Sequence, residues 1–114
     1  MDVLGNLEAY RTAIERVLTE YAHFLTTDAE IVCETVFDRV RDRYLLVEIG
    51  WENGYRIYGP LLHIDICEGK LWIQHHGTED GVAGELTAGG VSKDHIVLAF
   101  RPISLRAPSG YAVA

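Results

Sequence analysis

Two neighbouring segments carry side chains that could bind a metal ion. His63 and Asp65 alternate in one apolar segment, and Gln74 and His76 alternate in the next. If both segments are strands, these side chains project from one face, and imidazole with carboxylate would suit a transition metal. The spacing matches no known metal signature, so we interpret the four residues as a polar patch. A small metal-dependent, nuclease-like hydrolase using His63, Asp65 and His76 is the alternative function.

A second polar cluster spans Gly77 to Gly81. Thr78 is predicted to cap a short helix, with Glu79 and Asp80 at its positive end. An anion-binding loop is disfavoured because the two carboxylates would repel phosphate. A divalent-cation site that adds Glu85 lacks the spacing of an EF-hand. We therefore predict no metal site, no cofactor and no catalytic residue.

Length and composition limit the class of protein. The 114 residues form a single domain, 1–114, and 48% hydrophobic with 24% charged residues is typical of a soluble globular chain. No apolar run approaches the roughly 20 residues that cross a bilayer. The N-terminus lacks the basic start and apolar core of a secretory signal. We expect a cytoplasmic protein without membrane contact.

The charge balance disfavours direct binding to nucleic acid. Ten Lys and Arg residues oppose seventeen Asp and Glu residues, which gives a formal net charge of −7. Arg39, Arg41 and Arg43 form a short basic stretch, but Asp38 and Asp42 alternate with them, so we predict a self-paired loop. An acidic chain is better suited to a basic protein partner.

The cysteine spacing indicates neither a metal site nor a disulfide. Cys33 and Cys67 lie far apart in apolar segments, and no CxxC spacing occurs. We interpret them as two small buried hydrophobic residues.

Hydrophobic periodicity predicts an α+β fold: a long N-terminal helix, a four-stranded antiparallel meander, a short helix, a further strand and an extended tail. Asn53-Gly54 and Glu68-Gly69 are predicted as tight turns between strands. The predicted helix covers residues 4–25, and a shorter one begins at Thr78 and ends at Gly89-Gly90. The predicted strands are residues 31–37, 43–51, 55–66, 70–76 and 95–100, and the tail begins at Arg101.

The two turns fix a register, and the register divides the side chains between two faces. Gly59-Pro60 predicts a bulge or an edge position within the third strand. The predicted core face consists of Leu45, Val47, Ile49, Trp51, Tyr58, Leu62, Ile64, Ile66, Leu71 and Ile73.

The opposite face is also apolar, which predicts a protein-interaction surface unless the second helix covers it. A homodimer through this face is possible. The interaction residues are Tyr44, Leu46, Ile57, Leu61 and Trp72, and the polar patch on the same face is His63, Asp65, Gln74 and His76.

Several segments, in one order along nearly the whole chain, resemble the cyanobacterial XisI family. They are Asp38 to Leu46, Ile49-Gly50-Trp51, His63 to Ile66, Gly69 to Gln74, Gly77 to Gly81, Asp94 to Pro102 and Tyr111 to Ala114. This sequence departs from the family's pattern at His76, where an acidic residue is more usual, and at Ser92, where proline is expected. The first departure weakens a metal-site interpretation.

The resemblance implies a non-enzymatic accessory factor similar to the fdxN element excision controlling factor. Such factors are associated with programmed DNA excision during heterocyst differentiation, where they assist a site-specific recombinase together with a nuclease-like companion, XisH. The resemblance therefore implies a XisH-like partner, with the recombinase as an indirect one. It carries over no catalytic residue.

Overall fold

The computed structural model describes residues 3–26, 30–76 and 81–114, with side chains from Asn6 onward. The chain is α+β, as predicted, and its element order matches the expected one up to the tail. The helices are α1 (Val3–Leu25), α2 (Val82–Ala88) and α3 (Ile103–Arg106). The strands are β1 (Ile31–Asp38), β2 (Arg43–Glu52), β3 (Tyr55–Cys67), β4 (Lys70–His76) and β5 (Ile96–Leu98).

One mixed sheet with the strand order β1-β2-β3-β4-β5 forms the centre of the fold. Strands β1 to β4 are an antiparallel meander, and β5 lies parallel to β4. The parallel pair requires a crossover, because parallel neighbours cannot be joined by a tight turn. The segment that contains α2 makes that connection.

Both predicted hairpin turns are confirmed. Asn53 and Gly54 have φ of 50° and 80°, and Glu68 and Gly69 have φ of 52° and 77°. Positive φ at both central residues is the geometry of a type I′ turn, whose twist matches that of the flanking strands. The two hairpins fix the register at their own ends: Trp51 pairs with Arg56, and Ile66 pairs with Leu71.

The helices α1 and α2 pack into the same hydrophobic core. The apolar stripe of α1 buries Tyr10, Ile14, Val17 and Leu18 at three- and four-residue steps. Helix α2 adds Val82, Ala83 and Leu86 to the same cluster. The second helix therefore packs on the α1 side of the sheet, not on the opposite face.

The short helix begins later than the sequence predicts. Gly81 is its N-cap residue, although we predicted that position to lie inside the helix, and no side chain caps the backbone there. The predicted cap, Thr78, and its neighbours Gly77, Glu79 and Asp80 lie outside the described residues.

The prediction of an extended tail is wrong. Helix α3 follows Pro102, and a 3-10 turn covers Ala107–Ser109. The Arg106 guanidinium stabilises this arrangement because it donates to the carbonyl oxygens of Arg101 (3.0 Å), Val113 (3.1 Å) and Ala99 (3.4 Å). Pro102 and Pro108 fit helix starts, where their fixed φ costs nothing.

Candidate protein-contact surface

A β-bulge in β3 decides which side chains of β2 reach the core. Leu46 pairs with Leu62, but Val47 pairs with Pro60, so Leu61 is the extra residue. The bulge lies where Gly59-Pro60 predicts one. Because strand side chains alternate between faces, one extra residue reverses the alternation of one strand relative to its neighbour.

The reversal places Tyr44 and Leu46 in the core, which corrects the prediction that they form an interaction surface. Both side chains are fully buried. Tyr44 pairs with Ile64 and Leu46 with Leu62, and opposed residues share a face. The Tyr44 ring contacts Phe37 at 5.8 Å between centroids. Neither residue is available to a partner.

The same reversal brings half of the predicted core face to the surface. We call this the outer sheet face, the side of β1–β3 that points away from α1. Val32 pairs with Ile49 and Ile49 with Tyr58, which sets one row of side chains across the three strands. Its apolar members are Val32, Val36, Leu45, Val47, Ile49, Trp51, Tyr58 and Pro60.

Exposure shows that the outer sheet face is uncovered. Tyr58 is 76% exposed and Trp51 is 55% exposed, and Val32 and Val36 are exposed beside them on the edge strand β1. Contiguous exposed apolar surface of this kind marks an interaction site. The alternation of β2 groups these side chains on one face of the strand. Whether that face is buried or exposed follows from the sequence only when the extra residue of the bulge is included in the register.

Trp72 is partly covered by the C-terminal tail. The Arg106 guanidinium lies 5.8 Å from the centre of the Trp72 ring. The indole nitrogen of Trp72 is buried and has no hydrogen-bond partner among the described residues. Trp72 thus belongs to a tail contact at the β4–β5 end of the sheet, away from Trp51.

Ile57 and Leu61 complete the predicted set of interaction residues, and both are half-buried. Leu61, at the bulge, packs against the hydrophobic core. Ile57 pairs with Gly50 near the β2–β3 turn. The five predicted residues therefore do not form one surface, and the role of Ile57, Leu61 and Trp72 in protein contact stays a prediction.

The polar patch assembles only in part. His63 Nε2 lies 2.7 Å from Asp65 Oδ1, and Gln74 Nε2 donates to Asp65 Oδ2 at 3.3 Å. Arg43 Nε approaches the same carboxylate at 3.5 Å. Both oxygens of Asp65 are thus engaged by neighbouring side chains of the sheet.

His76 lies on the other face of the sheet from His63 and Asp65, which corrects its placement in the polar patch, so the structure does not bring together the three residues of the alternative hydrolase. A second bulge makes Gln74 the extra residue, and His75 rather than Gln74 pairs with His63. His76 consequently pairs with the buried Leu62, and its ring lies 4.3 Å from that of Phe100. Across residues 3–26, 30–76 and 81–114, no three His, Cys, Asp or Glu side chains are grouped to hold a metal ion.

Each arginine of the basic stretch has a carboxylate partner, but in the described structure Arg41 alone pairs within the loop, which corrects the prediction of a self-paired loop. Arg41 pairs with Asp38 at 3.1 Å, within the loop, and Arg43 pairs with Asp65. The strongest set joins Arg39 to Glu8 at 2.6 Å and to Glu15 at 2.7 Å, both on α1. The hydrogen bond from Arg39 lowers the pKa of Glu15. These arginines link the loop to the helix and the sheet.

Asp42 is the other point where α1 is bound to the sheet. Arg11 Nε donates to Asp42 Oδ1 at 2.7 Å, and Tyr44 donates its hydroxyl to the same oxygen at 2.9 Å. The hydrogen bond from Arg11 holds the pKa of Asp42 below its ordinary value. Asp42 also has a φ of 55°, which Asp and Asn tolerate better than other side chains.

Both cysteines are free thiols. Cys33 is buried, as predicted, and that burial raises the pKa of its thiol. Cys67 is exposed beside the β3–β4 turn, which corrects the prediction that both are buried. A raised thiol pKa makes Cys33 a poor nucleophile at neutral pH.

Comparisons with known proteins identify the family. The model of the XisI protein family matches residues 1–113. The chain belongs to the XisI family. No helix in the described part of this XisI-family chain is long and apolar enough to span a membrane.

Two solved structures share the fold of this XisI-family chain. A XisI-like protein from Anabaena variabilis is 32% identical, with a TM-score of 0.87 over 95% of this chain and 99% of the other. The fdxN element excision controlling factor XisI from Anabaena variabilis is 26% identical, with a TM-score of 0.82 over 96% of this chain and 99% of the other. A search of curated proteins finds no match.

Proposed function

We propose that this chain is a non-enzymatic accessory factor in programmed DNA excision and that it acts by binding other protein chains through the outer sheet face. Membership of the XisI family supports the process. The exposure of Trp51 and Tyr58 on a largely apolar face supports the mode of action. This exposed pair is the single observation that carries the proposal, because isolated aromatic anchors dominate the energetics of protein interfaces.

The chemistry of the described residues supports binding rather than catalysis. Asp65, the carboxylate of the polar patch, is engaged by His63, Gln74 and Arg43. A general acid or base needs a free path to a substrate proton, and a metal site needs ligands with unshared lone pairs. Asp65 instead orients the side chains around it.

We propose a XisH-like protein as the companion, with a site-specific recombinase as an indirect partner. The net charge of −7 favours a partner with a basic surface. Such a partner would contact both the apolar outer sheet face and the acidic surface around it. Neither contact requires DNA, so we expect the purified chain alone to leave duplex DNA unshifted at physiological salt.

Co-purification at two salt concentrations tests the proposal. A XisH-like protein co-expressed with this chain is expected to be retained on the immobilised chain at about 0.1 M salt. It should remain largely bound at about 1 M, because apolar contacts persist when charges are screened. Loss of all retention at high salt would indicate a purely electrostatic contact, and no retention at either salt would overturn the proposal.

A further inference from the structure

We propose that a second copy of this chain occupies the outer sheet face when the XisH-like companion is absent, packed face to face about a two-fold axis that lies between the two copies, parallel to their sheets and passing over Ile49. The proposal rests on the protein-contact role given to this face above. It adds the identity of the occupant and the geometry of the contact.

The register places one acidic and one basic side chain symmetrically about Ile49. Glu34 pairs with Val47, two residues before Ile49 on β2, and belongs to the neighbouring strand β1. Arg56 pairs with Trp51, two residues after Ile49, and belongs to the other neighbour, β3. Ile49 is therefore midway between Glu34 and Arg56. From ordinary strand spacings, the backbone positions of these two residues are roughly 16 Å apart.

Both charged groups are available for a contact between copies. Glu34 and Arg56 are exposed. Within the described parts of the chain, neither side chain forms a salt bridge. Arg56 is instead held over the Trp51 ring, 5.3 Å from its centre, and donates to the Gly50 carbonyl at 3.3 Å. This contact fixes the guanidinium on the outer sheet face.

A two-fold axis between the two copies, over Ile49 and perpendicular to the line from Glu34 to Arg56, uses both charges twice. Such an axis exchanges the two positions, so Glu34 of each copy meets Arg56 of the other. An isologous interface requires this self-complementarity, since the same surface serves both partners. The same operation brings Trp51 towards Val32 of the other copy, and Tyr58 towards Val47. Aromatic rings then cover β-branched side chains, and the exposed apolar surface of both copies is buried.

The charge and size of the face fit a second copy of the chain. Glu34 and Arg56 cancel, and Arg43 is paired with Asp65, so the net charge of −7 resides elsewhere on the molecule. The apolar side chains of the face expose on the order of 500 Å². With the charged rim, the face approaches the roughly 800 Å² per partner of a stable interface.

A charge-exchange experiment tests the axis. Glu34→Arg alone sets arginine against Arg56 of the other copy, and Arg56→Glu alone sets glutamate against Glu34. Each variant is expected to shift the dimer dissociation constant at least tenfold towards monomer. An equimolar mixture of the two variants restores both ion pairs in the heterodimer. Sedimentation velocity of the wild type, each variant and the mixture measures this, and circular dichroism verifies folding.

The expected result is a dimeric wild type, two weakened variants and a dimeric mixture. A monomeric wild type, or a mixture no more dimeric than either variant, would overturn the two-fold contact. Trp51→Ser provides a second route to monomer if a charge variant fails to fold, and a Trp51→Ser chain that stays fully dimeric also contradicts the proposal.

The outcome separates the inference from the proposed function. A monomeric wild type that still retains the XisH-like protein, and loses it on Trp51→Ser, keeps the proposed function and rejects the second copy as occupant. A dimer with the charge-exchange behaviour that retains no XisH-like protein supports the inference and rejects that partner.

Discussion

The hydroxyl of Tyr44 donates to Asp42 Oδ1 at 2.9 Å, on the buried side of the sheet. Burial and the bond to Asp42 raise the pKa of Tyr44, so its hydroxyl stays protonated and serves as a donor at all moderate pH. This bond, together with Arg11, links α1 to the start of β2. The bond lies on the internal face of β2, which the bulge at Leu61 determines.

Leu46→Ala should destabilise the fold strongly, because Leu46 is fully buried opposite Leu62. A large-to-small change at a closed core position costs about 2–5 kcal/mol. Leu105→Ala is the matched control, since Leu105 is 54% exposed on α3, and it should cost less than about 1 kcal/mol. Urea unfolding of both variants measures the difference, and equal costs would mean that Leu46 is not in the core.

Asp42→Asn should reduce stability at neutral pH by about 1–3 kcal/mol, because it removes the charged acceptor of Arg11 and Tyr44. Asn tolerates the φ of 55°, so the backbone is not strained.

The pH dependence of this effect has a defined sign. The pKa of Asp42 is lowered on folding, mainly by the hydrogen bond from Arg11. Its contribution is therefore complete above the unfolded value of about 3.9 and is lost as the pH falls through the lower folded pKa. Urea unfolding from pH 7 to pH 3 should show the gap between wild type and variant narrowing in acid. A gap of constant size would contradict the role of the Asp42 charge.

Gly69→Ala should cost about 1–2 kcal/mol, because the φ of 77° in the β3–β4 turn disfavours any Cβ. Gly84→Ala makes the same chemical change inside α2, where a Cβ meets nothing within 4 Å. It should stabilise the chain by about 0.5–1 kcal/mol. Thermal unfolding of the two variants should shift in opposite directions, and a shared sign would argue against the turn assignment.

Arg106→Ala should release the tail from the sheet, because Arg106 donates to three carbonyl groups and lies over Trp72. The measurement is tryptophan fluorescence in a Trp51→Phe background, so that Trp72 is the one indole that reports. Its emission should shift to longer wavelength as water reaches the ring. An unchanged spectrum would show that the tail covers Trp72 without Arg106.

The sequence was sufficient for most of the fold, because its signals there are local. The α1 stripe and the Asn53-Gly54 and Glu68-Gly69 turns are set by periodicity and backbone geometry. The faces of β2 were assigned wrongly because one extra residue, Leu61, reverses the alternation, and a bulge is decided by packing across strands. Gly59-Pro60 indicates that a bulge occurs in β3, but it does not indicate which face of β2 the bulge turns towards the core.

The candidate site shows the same limit. His63, Asp65 and Gln74 do meet, since they are near neighbours on adjacent strands. His76 does not, because the bulge at Gln74 turns it towards Leu62. The fold of the tail depends on Arg106 donating to carbonyl groups five and seven residues away along the chain, contacts that hydrophobic periodicity does not reveal.

Affinity for the companion, measured with matched aromatic variants, tests most directly whether the outer sheet face binds protein. Trp51 is 55% exposed on that face, and Phe24 is 74% exposed on α1. Trp51→Ser should weaken binding of the XisH-like protein at least tenfold, whereas Phe24→Ser should leave it within about twofold, with both variants folded. Equal affinities for the wild type and Trp51→Ser, or a greater loss on Phe24→Ser, would contradict the assignment of the contact surface.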